Sequence, residues 1–223
     1  MGSRVALVAG AGGALGRATA VSLAAAGFTV VGIDRSEQAP AEGIRQEVGD
    51  PADPAAARDI VDRIAADVGA PDVLVNTIGA FSLGDALSTT PEGLRAMIDA
   101  NLGAALWLSQ AVAPHMRQRG SGAIVHVSAR PGLEPTPGMA AYGVSKAALA
   151  HLVRLLDLEL RPDGIRVNAV APLVLDTPRN RAALPPAQLA HAVTPEAIAD
   201  IITFLVSDVA APVSGALLPA YGA

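Results

Sequence analysis

The chain has 223 residues, a length that supports one substantial α/β core and not two domains. It contains no cysteine, which excludes disulfides, thiolate catalysis and cysteine-ligated metal. A formal net charge of −5 with no long basic run argues against binding to nucleic-acid phosphates.

Hydrophobic residues make up 51% of the chain, much of it alanine, a composition that suits helices packed closely on a sheet. No apolar stretch reaches the roughly 18 residues that a membrane helix needs. The N-terminal residues run directly into a strand-like segment, so no signal peptide is expected and the cytoplasm is the expected location. His115, His126, His151 and His191 are scattered without metal-ligand spacing and read as structural or solvated.

In chain order, Val5 to Ala9 reads as a strand and Arg17 to Ala26 as a helix stopped by Gly27. Thr29 to Ile33 and Arg45 to Val48 are the next strands. Ala57, Ile60, Val61, Ile64 and Val68 recur at helical spacing behind the start signal Asp53-Pro54. Val73 to Val75 is a strand, and Pro91 to Met116 a long helix interrupted near Gly103. Strand Ile124 to Val127, helix Tyr142 to Leu160 and strand Ile165 to Val170 follow. Helix Pro195 to Val206 and a short strand at Ala216 to Leu218 complete the series. The segment from Pro178 to Pro195 has no clear place in a sheet and is expected to act as a lid or binding loop, the alternative being a surface helix with a poor apolar pattern.

Apolar strands without polar alternation indicate burial on both faces, as in a parallel sheet. Their regular alternation with helices predicts a doubly wound α/β fold over residues 1–223, with a sheet of about seven strands.

Gly10, Gly13, Leu15 and Gly16 lie between the first strand and the first helix. Glycines there permit a sharp turn and close approach of phosphate oxygens, and the helix N-terminus offers free N–H groups. This placement marks a dinucleotide-binding Rossmann turn. Asp34 ends the second strand, where a carboxylate accepts hydrogen bonds from the ribose hydroxyls and repels a 2′-phosphate. NAD(H) is therefore expected over NADP(H), although Arg35 beside it supplies a guanidinium suited to that phosphate.

Tyr142 and Lys146 stand four residues apart on a helix and so share one face. A phenol ordinarily titrates near about 10. A neighbouring ammonium and the positive ring of an oxidised nicotinamide both favour the phenolate, which would let Tyr142 exchange protons near neutral pH.

With these pieces in order, the sequence resembles the short-chain dehydrogenase/reductase family over essentially its whole length. The matching segments are the glycine turn, Asp34, Asn76 to Gly79, Asn101-Leu102, Tyr142 to Lys146, and Gly164 to Pro172. The resemblance implies a hydride-transferring oxidoreductase acting on a C=O or C=N group, with Tyr142 as proton donor. It further implies that Asn76 and Gly79 line the cofactor site, that Lys146 holds the nicotinamide ribose, and that Asn101 supports a proton relay behind Lys146. Pro172 and Thr177 match positions at the nicotinamide. Relatives are commonly homodimers or homotetramers, so a small-molecule substrate and a homo-oligomer are expected.

Two departures stand out. Most members carry a serine 13 residues before the tyrosine, and that position is Ala129. Ser128 is one residue off and points differently if it lies on a strand, unless the chain shifts near Pro131. Most members also carry glycine where this chain has Leu173. Both departures, with Gly10, Gly13 and Gly16, resemble the quinonoid dihydropteridine reductase branch, whereas Asn101 follows the ordinary family pattern. A protein that retains the fold as an inactive NAD(P) sensor is the alternative of another class, and the presence of both Tyr142 and Lys146 speaks against it.

Overall fold

The computed structural model describes residues 3–37 and 41–222. Its centre is a seven-stranded sheet in which all pairings are parallel. The strands are β1 (Val5–Ala9), β2 (Thr29–Asp34), β3 (Arg45–Val48), β4 (Pro71–Asn76), β5 (Gly122–Val127), β6 (Ile165–Pro172) and β7 (Leu217–Ala220). Their order across the sheet is β3-β2-β1-β4-β5-β6-β7. The order reverses between β1 and β4, and in such sheets the crevice outside the carboxyl ends of those strands receives ligands.

Two helical layers cover the sheet. One face packs α2 (Pro54–Asp67), α4 (Ala104–Arg119) and α6 (Ala140–Leu160), and the other packs α1 (Ala14–Ala25) and α9 (Pro195–Val206). Side chains alternate along each strand, so neighbours in sequence enter different cores. Leu7, Leu74 and Ile124 join Ile60, Leu108 and Val153 on the first face. Val8, Val75 and Val125 join Leu23, Ile198 and Ile202 on the second. Burial on both faces explains the near-continuous apolar strands.

Helix starts follow the local chemistry. The Asp53 carboxylate accepts from Ala56 N at 2.8 Å with Pro54 opening α2. Thr90 and Thr194 cap α3 (Pro91–Ile98) and α9 in the same way, each followed by proline. Helix α1 begins at Ala14, three residues before the expected Arg17, because the end of the glycine turn is already helical.

The interruption expected near Gly103 is a π-helical turn over residues 99–103 between α3 and α4. The segment after β6 contains two short helices, α7 (Pro178–Ala183) and α8 (Pro186–Leu189); its ends pair through a bridge from Leu175 to Val193, and both residues pack against the second core. A one-turn helix, α5 (Arg130–Leu133), follows β5. Among the described residues no helix is long and apolar enough to cross a membrane.

Candidate active site

The glycine turn leaves β1 at the crevice. Gly10 has a φ of +83°, a region that L side chains rarely adopt, and a Cβ there would stand 2.6 Å from Thr77 Oγ1. A Cβ on Gly16 would overlap the Gly10 carbonyl oxygen. Gly13 N donates to Gly10 O at 3.0 Å, closing the turn. Gly13 then stands at the N-cap of α1 with no side chain to occupy the first-turn N–H groups. Leu15 buries its side chain in the core, which leaves only its backbone at the turn. A backbone cradle open to N–H donors fits a dinucleotide pyrophosphate.

Asp34 ends β2 within reach of this cradle. Its carboxylate accepts from Gly12 N at 3.0 Å and from Arg35 N at 2.8 Å. Both oxygens retain lone pairs for further donors. Arg17 and Arg181 line a groove with Thr177 alongside the first turns of α1.

The loop after β4 forms the floor. Asn76 is buried, and its side-chain oxygen accepts from Ile78 N at 3.1 Å, which holds a tight turn. Thr77 Oγ1 donates to Ala9 O at 2.8 Å and so ties this loop to the end of β1. A Cβ on Gly79 would stand 2.7 Å from Asn101 Oδ1 and 3.1 Å from Lys146 Nζ, so a side chain here would fill the space between them.

The π-helical turn directs Asn101 inward, and such turns are frequent at functional sites. Asn101 clamps the backbone of Ala80, accepting from its N–H and donating to its carbonyl, both at 3.0 Å. Its amide also donates to Ser145 Oγ at 2.9 Å, and Ser145 in turn donates to the Tyr142 carbonyl at 2.7 Å. The loop after β4 is thereby locked to the first turns of α6. The sequence reading did not single out Ser145, although it lies within the Tyr142–Lys146 motif.

Lys146 is the only lysine in the chain, whose fifteen other strong bases are arginines. It is buried, and Nζ donates to the Val127 carbonyl at 2.8 Å. Burial pushes its pKa down to about 8. Gly132 in α5 stacks against this residue, and a Cβ there would stand 2.6 Å from the Lys146 carbonyl carbon.

Tyr142 lies edge-on to Phe81, with ring centroids 5.0 Å apart. Burial raises its pKa to about 12, contrary to the lowering expected from Lys146. Loss of water around the hydroxyl dominates, and the ammonium is anchored on Val127. In this state Tyr142 is a protonated phenol throughout the neutral range and is suited to donate a proton.

Ser128 has both its backbone N–H and its hydroxyl engaged by backbone carbonyls. Its N–H pairs with Val170 O at 2.8 Å and its hydroxyl donates to the Lys146 carbonyl at 3.2 Å. Ala129 occupies the serine position and is 5% exposed, so no hydroxyl is available there. Pro172 ends β6 at the same edge of the sheet. The hydroxyl of Thr177 caps α7 by accepting from Asn180 N at 3.2 Å. Among the described residues no group of three or more His, Cys, Asp or Glu is placed to hold a metal.

Comparison with known proteins agrees with this geometry. Residues 4–187 match the family model described as short chain dehydrogenase. The galactitol 2-dehydrogenase of Rhizobium johnstonii is 37% identical over 96% of this chain and 91% of that protein. The L-xylulose reductase of Mus musculus is 34% identical over 100% of this chain and 96% of that protein. The ligand-free structure of Thermoplasma acidophilum aldohexose dehydrogenase superposes with a TM-score of 0.90 at 27% identity, over 99% of this chain and 93% of that one. These relatives act on sugars and polyols by name and give no support to the dihydropteridine reductase alternative. The chain belongs to the short-chain dehydrogenase/reductase family and is an oxidoreductase of that family, which uses NAD(P)(H).

Proposed function

We propose that the protein interconverts a secondary alcohol and a ketone on a small polyhydroxylated substrate, with NAD(H) as the preferred cofactor and Tyr142 as general acid and base. The observation that carries this reading is the half-buried Tyr142 and the buried Lys146 one turn on, on a helix that Ser145 and Asn101 lock to the loop bordering the glycine cradle. A bound nicotinamide supplies the hydride and, when oxidised, a positive charge that favours the phenolate.

In the reducing direction Tyr142 gives its proton to the substrate oxygen, and in the oxidising direction it takes one. Lys146 keeps a positive charge beneath the phenol, and its remaining hydrogens suit the nicotinamide ribose. Asn76, Gly79 and Asn101 keep the floor narrow, while Gly10, Gly13, Leu15 and Gly16 present backbone to the pyrophosphate. Pro172 and Thr177 border the nicotinamide end. With alanine at position 129, the substrate oxygen has one fewer donor and Tyr142 carries more of its polarisation. Phe81, Met139 and the segment from Pro178 to Pro195 shape the substrate side.

The preference for NAD(H) rests on Asp34, whose negative charge opposes a 2′-phosphate. A homodimer or homotetramer would cover Val144, Leu155 and Leu158, which stand exposed along α6. The test is parallel titration with NADH and NADPH, followed by a panel of polyols and aldoses with the tighter-binding cofactor. Tighter NADH binding and turnover of a polyol are expected. Tighter NADPH binding would overturn the role of Asp34, and absence of turnover with any secondary alcohol would overturn the substrate class.

A further inference from the structure

Three segments leave the carboxyl edge of the sheet around Pro172. Helix α5 follows β5, the segment that carries α7 and α8 follows β6, and Tyr221 and Gly222 follow β7. Strand β6 lies between β5 and β7, and Pro172 near its end pairs with Ala220. The segment after β6 is closed at its neck, where Asp176 N donates to Val193 O at 2.8 Å and Val193 N donates to Val174 O at 2.9 Å. Beyond that neck, no residue of α7 or α8 is buried.

Two contacts tie these segments together. The Arg130 guanidinium lies over the Tyr221 ring, 5.1 Å from its centroid, so Tyr221 reaches across the end of β6 to α5. Arg130 is itself held by Glu134, to which its Nε donates at 2.7 Å. One residue on, Gly222 has a φ of +83° and lies against the backbone of His191, where a Cβ would overlap the His191 carbonyl oxygen. His191 belongs to the segment after β6, just before its neck at Val193. Helix α5 is seated on α6, with Gly132 against Lys146 and Pro131 against Gly143.

We propose that Tyr221 and Gly222 are positioning residues that brace the substrate crevice, Tyr221 against α5 on the side of Tyr142 and Gly222 against the segment from Pro178 to Pro195. This rests on the reading of that segment as the substrate wall. The brace joins the wall to the helix that carries the catalytic phenol, so the two keep one separation and a polyol meets a preformed pocket. Without it the segment opens about its neck, and binding has to close it again. Both contacts are local. A guanidinium over a ring is a modest attraction at a partly exposed site, and the approach of Gly222 to His191 requires the absence of a side chain. Either can be removed without disturbing the two cores beneath.

Arg179 and Arg181 are exposed on α7, and this short helix has to open before trypsin can cut there. Cleavage at these two positions, read by mass spectrometry, reports opening of the segment without substrate or cofactor. Tyr221→Ala and Gly222→Ala are each expected to speed it about three- to tenfold, while cleavage elsewhere in the chain keeps its wild-type rate. Tyr221→Phe keeps a ring face for Arg130 and is expected to be cut at the wild-type rate, and Arg130→Ala is expected to match Tyr221→Ala. With a polyol substrate the two alanine variants should raise KM by a similar factor, with kcat within about twofold and NADH binding unchanged. Unchanged cleavage at Arg179 and Arg181 in either alanine variant, or an equal rise at every site in the chain, overturns the proposal. Faster cleavage with an unmoved KM upholds the brace and overturns instead the reading of the segment as the substrate wall.

Discussion

The two halves of the crevice are built on opposite principles. Around the glycine turn, function depends on side chains being absent: Gly10 and Gly16 leave no space for a Cβ, and the helix end offers backbone only. Around Lys146 it depends on polar side chains being buried, with Asn101, Ser145, His126 and Lys146 all below 5% exposure. In the first half geometry and stability coincide, so damage to one damages the other. In the second half burying charge and polarity opposes stability, so function and stability are expected to part company.

Substitutions in the two halves can break or sharpen this contrast. The largest effect is expected for Tyr142→Phe, which should lower kcat by about 10²- to 10⁴-fold while NADH binding, read by fluorescence titration, stays near wild type. Gly16→Ala should unfold the protein at a denaturant midpoint corresponding to a loss of about 3 kcal/mol, because the clash is with backbone that cannot move aside. Retention of full stability would show that the turn relaxes. Lys146→Met should remove turnover yet raise stability by about 1–3 kcal/mol at pH 7, since the buried ammonium is replaced by an apolar chain of similar length. A fall in the melting temperature would erase the contrast between the halves.

Acid gives a smaller and graded effect. The pKa of His126 is lowered from 6.5 to about 3 by burial and by Lys146. Between those values the unfolded chain binds the extra proton, so the contribution of His126 is complete above 6.5 and is lost as pH falls through that window. The slope is about 1.4 kcal/mol per pH unit at most. Urea melts at pH 7 and 5 should show it, and His126→Asn should flatten it. The smallest effect is expected for Ala129→Ser, which returns one hydrogen-bond donor to the substrate oxygen and should raise kcat/KM up to about tenfold. A loss of activity would show that the pocket uses the methyl group for packing.

The glycine half was legible in the sequence because what it requires is written locally, as glycines between a strand and a helix and an acid at the end of β2. The same holds for the helix starts at Asp53-Pro54 and Thr194-Pro195. Tyr142 and Lys146 were legible from their spacing together with that context. The supports behind them were not, since Ser145 meets Asn101 across 44 residues and His126 meets Ser109 across 17. Such pairs exist only once α6 is packed on the π-helical turn and β5 on α4. The π-helical turn was visible only as an interruption, because its extra residue has no signature of composition. One signal did stand in the sequence unread: in a chain that uses arginine at every other basic position, a solitary lysine marks a place where arginine cannot serve.

The bond from Gly12 N to the Asp34 carboxylate bears on how the cofactor preference of this chain can change. The group that would discriminate between cofactors is also a strut that fastens the glycine turn to the end of β2. Exchanging Asp34 for a small neutral residue would therefore loosen the turn in the same step that admits a phosphate. Arg35 is exposed, and only its backbone takes part in that strut. The accessible evolutionary route to the phosphorylated cofactor is accordingly to enlist cations at or after position 35 first and to surrender the acid last.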